Sequence, residues 1–157
     1  MAVHVVAVGR VRDPGLRAAC ESWAERAARY FPLTVHEVAE AGRTGPTPAA
    51  SMRIEGARLA GKLLSPATVV ACTRDGQPLD SRAFARAMDR WRTAGRPVAF
   101  LLGGAFGLAQ DLVDRAELRL ALSAFTLPHE LARALLLEQI YRAGTILRGE
   151  PYHKGPA

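Results

Sequence analysis

The residues best suited to chemistry lie near the end of the chain, where Tyr152-His153-Lys154 gathers an aromatic ring, an imidazole and an ammonium group. An imidazole titrates near neutrality and can take or hold a proton. The ammonium can balance a developing negative charge, and the ring can stack on a flat base. Arg142 precedes them in a helical pattern and can grip phosphate. Together these groups suit a nucleobase and its phosphate; the other reading of so polar a terminus is a frayed end. The remaining histidines look different. His4 and His36 fall in strand patterns and read as structural. His129 follows Pro128 at a helix start, where the positive end of the dipole favours a neutral ring with a local hydrogen bond.

A second group of residues offers backbone rather than side chains. Val98-Ala99-Phe100-Leu101-Leu102 is an apolar strand pattern that runs into Gly103-Gly104-Ala105-Phe106-Gly107. Leu120-Ala121-Leu122-Ser123-Ala124-Phe125-Thr126-Leu127 repeats the form of a short strand ending in small and apolar residues. Neither stretch is a phosphate cradle. The glycines lack the G-x-G-x-x-G spacing of a dinucleotide fingerprint, and no G-x-x-x-x-G-K-[ST] is present. In open α/β sheets ligands bind beyond the carboxyl ends of strands. Here those ends are Cys72, Gly103 and Leu122 to Leu127. Bare backbone beside apolar side chains suits a flat, uncharged ring such as adenosine, unless the glycines serve only a tight turn.

Alternating strands and helices must position these groups. Val3 to Val8 reads as a strand, and a helix from Pro14 to Tyr30 has Asp13 as its cap. Leu33 to Val38 is a second strand, and Ala41 to Pro48, with two glycines and two prolines, is expected to be a mobile loop. A helix over Ser51 to Leu64 and a strand over Ala67 to Cys72 follow, then a turn at Asp75-Gly76-Gln77-Pro78. Asp80 or Ser81 caps a helix running to about Thr93. After the strand at 98–102 come a helix near Gln110 to Ala116, a strand near 118–122 and a long helix from Pro128 to Arg148. This alternation predicts one α/β domain over residues 1–157, a mainly parallel sheet with helices on both faces. The last helix is apolar over more than half its circumference. It either covers the sheet and a second subunit, with Leu136, Ile140 or Tyr141 facing the partner, or forms the centre of a monomer.

Composition narrows the classes further. No apolar run approaches the roughly 20 residues of a membrane span, and the start lacks the basic and apolar regions of a signal peptide, so the cytoplasm is the expected location. Cys20 and Cys72 stand far apart without histidines at ligand spacing, which predicts neither a disulfide framework nor a metal site. The net charge is +6, and all the basic residues except Lys62 and Lys154 are arginine. That excess either attracts nucleic acid or reflects an alanine- and arginine-rich composition of solvated helix faces.

Three motifs carry a resemblance that spans nearly the whole chain. They are Leu102-Gly103-Gly104-Ala105-Phe106-Gly107-Leu108, Leu122-Ser123-Ala124-Phe125-Thr126-Leu127-Pro128-His129 and Glu138-Gln139-Ile140-Tyr141-Arg142-Ala143, followed by Pro151-Tyr152-His153-Lys154. In these the chain resembles the SPOUT superfamily of knotted RNA methyltransferases. Within it, the resemblance is to the family that methylates ring nitrogen 3 of a pseudouridine in helix 69 of large-subunit (23S) ribosomal RNA. The resemblance implies a C-terminal deep trefoil knot that holds S-adenosyl-L-methionine. It places the cofactor against Cys72, Gly103, Gly104, Leu122, Ser123, Ala124, Phe125, Thr126 and Leu127. It also implies a homodimer in which each site is completed by the other subunit; Arg142, Tyr152, His153 and Lys154, by their own chemistry, are expected to face substrate on the ribosome. Some relatives carry Pro-Glu at Ala105-Phe106, leucine at Cys72 and arginine at Lys154. Two alternatives share the fold: a non-catalytic RNA-binding or ribosome assembly factor, and a methyltransferase acting on transfer RNA. The short chain leaves no room for the added RNA-binding domain that the latter would need.

Overall fold

The structure, a computed structural model of the chain, describes residues 1–152. Five strands form the sheet: β1 (Val3–Val8), β2 (Leu33–Val38), β3 (Thr68–Pro78), β4 (Val98–Leu102) and β5 (Leu118–Ala121). Their spatial order is β2-β1-β4-β3-β5, and every pair is parallel. Parallel strands need crossovers, which the helices supply: α1 (Pro14–Ala27), α2 (Pro48–Ala60), α3 (Ser81–Thr93), α4 (Gln110–Asp114) and α5 (His129–Leu147).

Helices cover both faces, as expected. Val3, Val5 and Ala7 of β1 pack with Phe100 of β4, Met88 and Trp91 of α3 and Leu136, Leu137 and Ile140 of α5. Val6 and Val8, pointing the other way, meet Leu59 of α2, Leu101 of β4 and Leu112 of α4. A strand buried on both sides explains why β1 and β4 read as unbroken apolar runs.

Local signals set most of the ends. Asp13 accepts a bond from Leu16 N at 2.8 Å and Asp80 from Ala83 N at 2.6 Å, so both act as N-caps. Three expectations need correction. The second helix begins at Pro48 rather than Ser51, because Thr47 caps it by accepting from Ala50 N. The stretch expected to be a mobile loop contains a short 3-10 turn, Gly42–Thr44, and is fastened to α2. Ser51 Oγ donates to Gly45 O and Glu55 Oε1 accepts from Ala41 N, both at 2.9 Å. Finally, Asp75-Gly76-Gln77-Pro78 is no turn. It continues β3, whose Gln77 and Pro78 pair with Leu120 and Ala121 of β5.

The apolar surface of α5 is also covered differently. α1 and α3 flank it, and Leu136 and Ile140 are fully buried inside the subunit. Those two do not face a partner. The apolar side chains α5 leaves exposed are Leu131 and Leu147.

Candidate functional site

The carboxyl ends of β3, β4 and β5 open into one cleft, of about 140 Å³ and partly open to solvent. Of the residues expected there, Cys72, Gly103, Gly104, Leu122, Ser123, Phe125, Thr126 and Leu127 all line it. Ala124 does not; it sits exposed within the same loop.

Close backbone packing makes the cleft. A Cβ added to Gly103 would lie 2.4 Å from Gly107 C and 2.5 Å from its O, so a side chain there collides with main chain. Gly107 has φ +88°, which L side chains rarely adopt. Its N–H donates to Gly104 O at 3.1 Å, closing the turn. Behind it, Gly104 rests against Val8 and the buried carboxyl of Glu55. On the opposite wall, Phe125 N donates to Ser123 Oγ at 2.9 Å and shapes the loop after β5.

Between the walls runs an irregular piece of β3. Cys72 and Gln77 both register with Leu120, so the residues from Thr73 to Gly76 are looped out of the ladder. Thr73 and Arg74 thereby line the cleft, as do Leu102, Gly107, Leu120, His129 and Ala132, none of which the sequence assigned to it. The hydroxyl of Thr73 is buried without a hydrogen-bond partner. A buried polar atom left alone is costly, so this one is suited to the polar edge of a ligand. Burial pushes the Cys72 thiol up to about 12. It stays a neutral, apolar wall at physiological pH rather than a nucleophile.

The first turn of α5 closes the cleft and is itself fixed to the sheet. Glu130 accepts from Arg12 N at 3.0 Å and from Asp13 N at 3.1 Å, bonds that hold its carboxyl below the usual carboxylate range. Arg133, only 2% exposed, donates to Gly9 O at 2.7 Å and to Glu37 at 2.5 Å. The loop after β1, the neighbouring strand and the cleft-forming helix end are thus tied together.

Tyr152 and Arg142 come together elsewhere. Arg142 donates twice to Glu138 Oε1, at 2.9 and 2.6 Å, which raises its pKa further. Tyr152 OH donates to the same oxygen at 3.0 Å, and its ring packs on Tyr141 and under the Arg142 guanidinium. Burial and that bond raise the tyrosine's pKa, so it remains a donor at neutral pH. The sequence offered no sign of this anchoring, because a polar tail shows no partner until a tertiary surface is known. His153 and Lys154 lie outside the described residues. Arg142 is ten positions beyond cleft-lining Ala132 along α5, which at 1.5 Å per residue is roughly 15 Å from the cleft. Within one subunit the tail anchor and the cleft are separate.

Comparison with known proteins decides the class. A family model described as "Predicted SPOUT methyltransferase" matches residues 1–153. The chain belongs to the SPOUT methyltransferase family. As a SPOUT chain it is 46% identical over 154 residues to the ribosomal RNA large subunit methyltransferase H of Gemmatimonas aurantiaca, covering 98% of this chain and 100% of that one. The protein of the same name from Anaeromyxobacter dehalogenans (strain 2CP-C) is 49% identical over 154 residues, with the same coverage. Among solved structures, a probable methylase family protein from Haemophilus influenzae Rd KW20 matches with a TM-score of 0.53 and 12% identity, covering 99% of this chain and 72% of that one. That likeness concerns the fold alone. Among the described residues of this SPOUT domain no helix is long and apolar enough to cross a membrane, and no three His, Cys, Asp or Glu side chains cluster as metal ligands.

Proposed function

We propose that this chain transfers a methyl group from S-adenosyl-L-methionine to ring nitrogen 3 of a pseudouridine in helix 69 of 23S ribosomal RNA, on the assembled ribosome in the cytoplasm. One observation carries the cofactor assignment. The cleft at the ends of β3, β4 and β5 is walled by Leu102, Leu122, Leu127 and a neutral Cys72, with backbone edges and the unpartnered Thr73 hydroxyl on offer. Apolar walls and polar backbone edges fit an adenine ring. The RNA substrate is supported by identities of 46% and 49% over nearly the whole chain to proteins named for large-subunit ribosomal RNA methylation. The pseudouridine and its ring nitrogen rest on the motif resemblance.

When bound, the cofactor would supply a methyl already activated by its sulfonium. The chain's task is then to align the acceptor and favour loss of its proton. Lys154 or Arg142 beside the base oxygens would stabilise the anion, Tyr152 would stack or donate, and His153 would take the proton. Tyr152 is held against the middle of α5, on Glu138, Tyr141 and Arg142, away from the cleft at the start of that helix. This supports a homodimer in which one subunit's tail completes the other's site. The close approach of Gly76 to β5 supports the trefoil knot, since crossing segments must be thin.

Two measurements test the reading. Calorimetry should show S-adenosylhomocysteine binding to the pure protein. Nucleoside mass spectrometry should find N3-methylpseudouridine in 23S RNA after incubation of unmethylated ribosomes with protein and cofactor. Absence of binding would remove the cofactor assignment; methylation of a different nucleoside, or of transfer RNA, would remove the substrate.

A further inference from the structure

Two aromatic rings stand in solvent on the loops that border the cleft. Phe125, on the loop after β5, is 82% exposed, and Phe106, in the turn after β4, is 54% exposed. Neither is a loose side chain. Phe125 is followed inward by cleft-lining Thr126 and Leu127, and its own N–H is tied to Ser123 Oγ. Phe106 is carried by the turn that Gly107 N closes onto Gly104 O. Fixed backbones hold both rings outward. Arg74, on the looped-out part of β3, lines the same cleft, is exposed, and has no hydrogen bond or ion pair among the described residues.

We propose that Phe106, Phe125 and Arg74 form a clamp for single-stranded nucleotides flanking the acceptor base, the rings stacking on bases and the guanidinium pairing with phosphate. The proposal rests on the reading of RNA as substrate. Aromatic faces with an arginine fork recognise unstacked bases without sequence readout. A second copy of this chain is the competing occupant. It is disfavoured because covering the patch would bury Arg74, whose charge has no partner among the described residues of its own subunit. A net charge of +6 also attracts a polyanion. Phe125 therefore serves two sides: its base lines the cofactor cleft and its ring meets the nucleic acid.

The test is binding of the full-length protein to isolated large ribosomal subunits by filter retention, with calorimetry of S-adenosylhomocysteine and light scattering alongside. Phe125→Ala and Phe106→Ala should each weaken subunit binding by about tenfold, in the range of one lost base stack. Phe125→Trp should retain binding and Phe125→Leu should lose it, because stacking needs a π-face. Arg74→Gln should weaken binding and flatten its salt dependence. Cofactor affinity should stay unchanged in Phe106→Ala, whose side chain is not among those lining the cleft, and molecular mass should stay unchanged in all of them. Unchanged subunit binding, a leucine variant as good as the native chain, or a change of mass would overturn the clamp. A native chain that binds subunits through these residues yet transfers no methyl would leave the clamp standing and remove the enzymatic reading instead.

Discussion

Gly76 of β3 lies against the backbone of Leu120 of β5, so closely that an added Cβ would sit 2.6 Å from the Leu120 carbonyl carbon and 2.8 Å from Ala121 N. The neighbour is main chain held in a ladder, which cannot swing aside as a side chain can. Gly76→Ala should therefore cost about 1–3 kcal/mol as an overpacked site and push the β3 loop into the cleft. Urea unfolding should show the loss, and calorimetry should show weaker S-adenosylhomocysteine binding. A variant with native stability and affinity would mean that the two strands separate easily.

Glu138 joins Arg142 and Tyr152 through one carboxylate oxygen. Glu138→Ala should free both side chains and misplace the tail. Turnover on ribosomes is expected to fall by about 100-fold, the cost of a small misplacement of reacting groups. Cofactor affinity should stay within a few-fold, since Glu138 is not among the residues that line the cleft. Native turnover in this variant would detach the tail from catalysis.

How much of this was legible beforehand differs from element to element. Asp13 and Asp80 announced their helices because a cap is a local bond, made within three residues. The apolar run Val98–Leu102 announced a central strand for the same local reason. Most of the cleft followed from chain order, since strand ends in a parallel sheet converge. The role of Gly76 did not. Aspartate, glycine and proline together signal a turn, and only the pairing of Gln77 and Pro78 with a strand some forty residues later keeps the segment within β3. Leu136 and Ile140 show a related limit. Helical periodicity marks an apolar face without saying whether α1 and α3 or another subunit will cover it. Thr73 and Arg74 reach the cleft through a register shift that leaves no mark in composition.

Acid sensitivity should trace in part to Glu130. Backbone donors at Arg12 and Asp13 lower its pKa in the folded chain. A depressed carboxylate stabilises the fold above its unfolded pKa, and that contribution is lost as pH falls through the folded value. Glu130→Gln should thus be less stable than the native chain at pH 7, with the gap narrowing steadily on acidification. Denaturant midpoints measured from pH 7 downward check this. A gap that is constant over the whole range would place the effect in packing rather than ionisation.

Cys72 offers a chemical reading of the cleft. Its thiol is pushed up to about 12 by burial, so little thiolate exists at pH 8. Alkylation by iodoacetamide at that pH should be roughly a hundredfold or more slower in the native chain than in urea, and slower still with S-adenosylhomocysteine present. Peptide mass spectrometry would report the rate at this cysteine separately from Cys20. Fast alkylation of the native protein would contradict the dry, apolar wall.

The central claim is that the cleft and the tail together move a methyl group onto large-subunit RNA. Tritium transfer from labelled S-adenosyl-L-methionine to ribosomes measures this directly, comparing the native chain with one lacking residues 151–157. The account predicts that label accumulates to a stoichiometric plateau in 23S RNA with the native protein. The shortened protein should still bind S-adenosylhomocysteine and transfer no label. A native protein that binds the cofactor and the ribosome but leaves the RNA unlabelled would contradict the account.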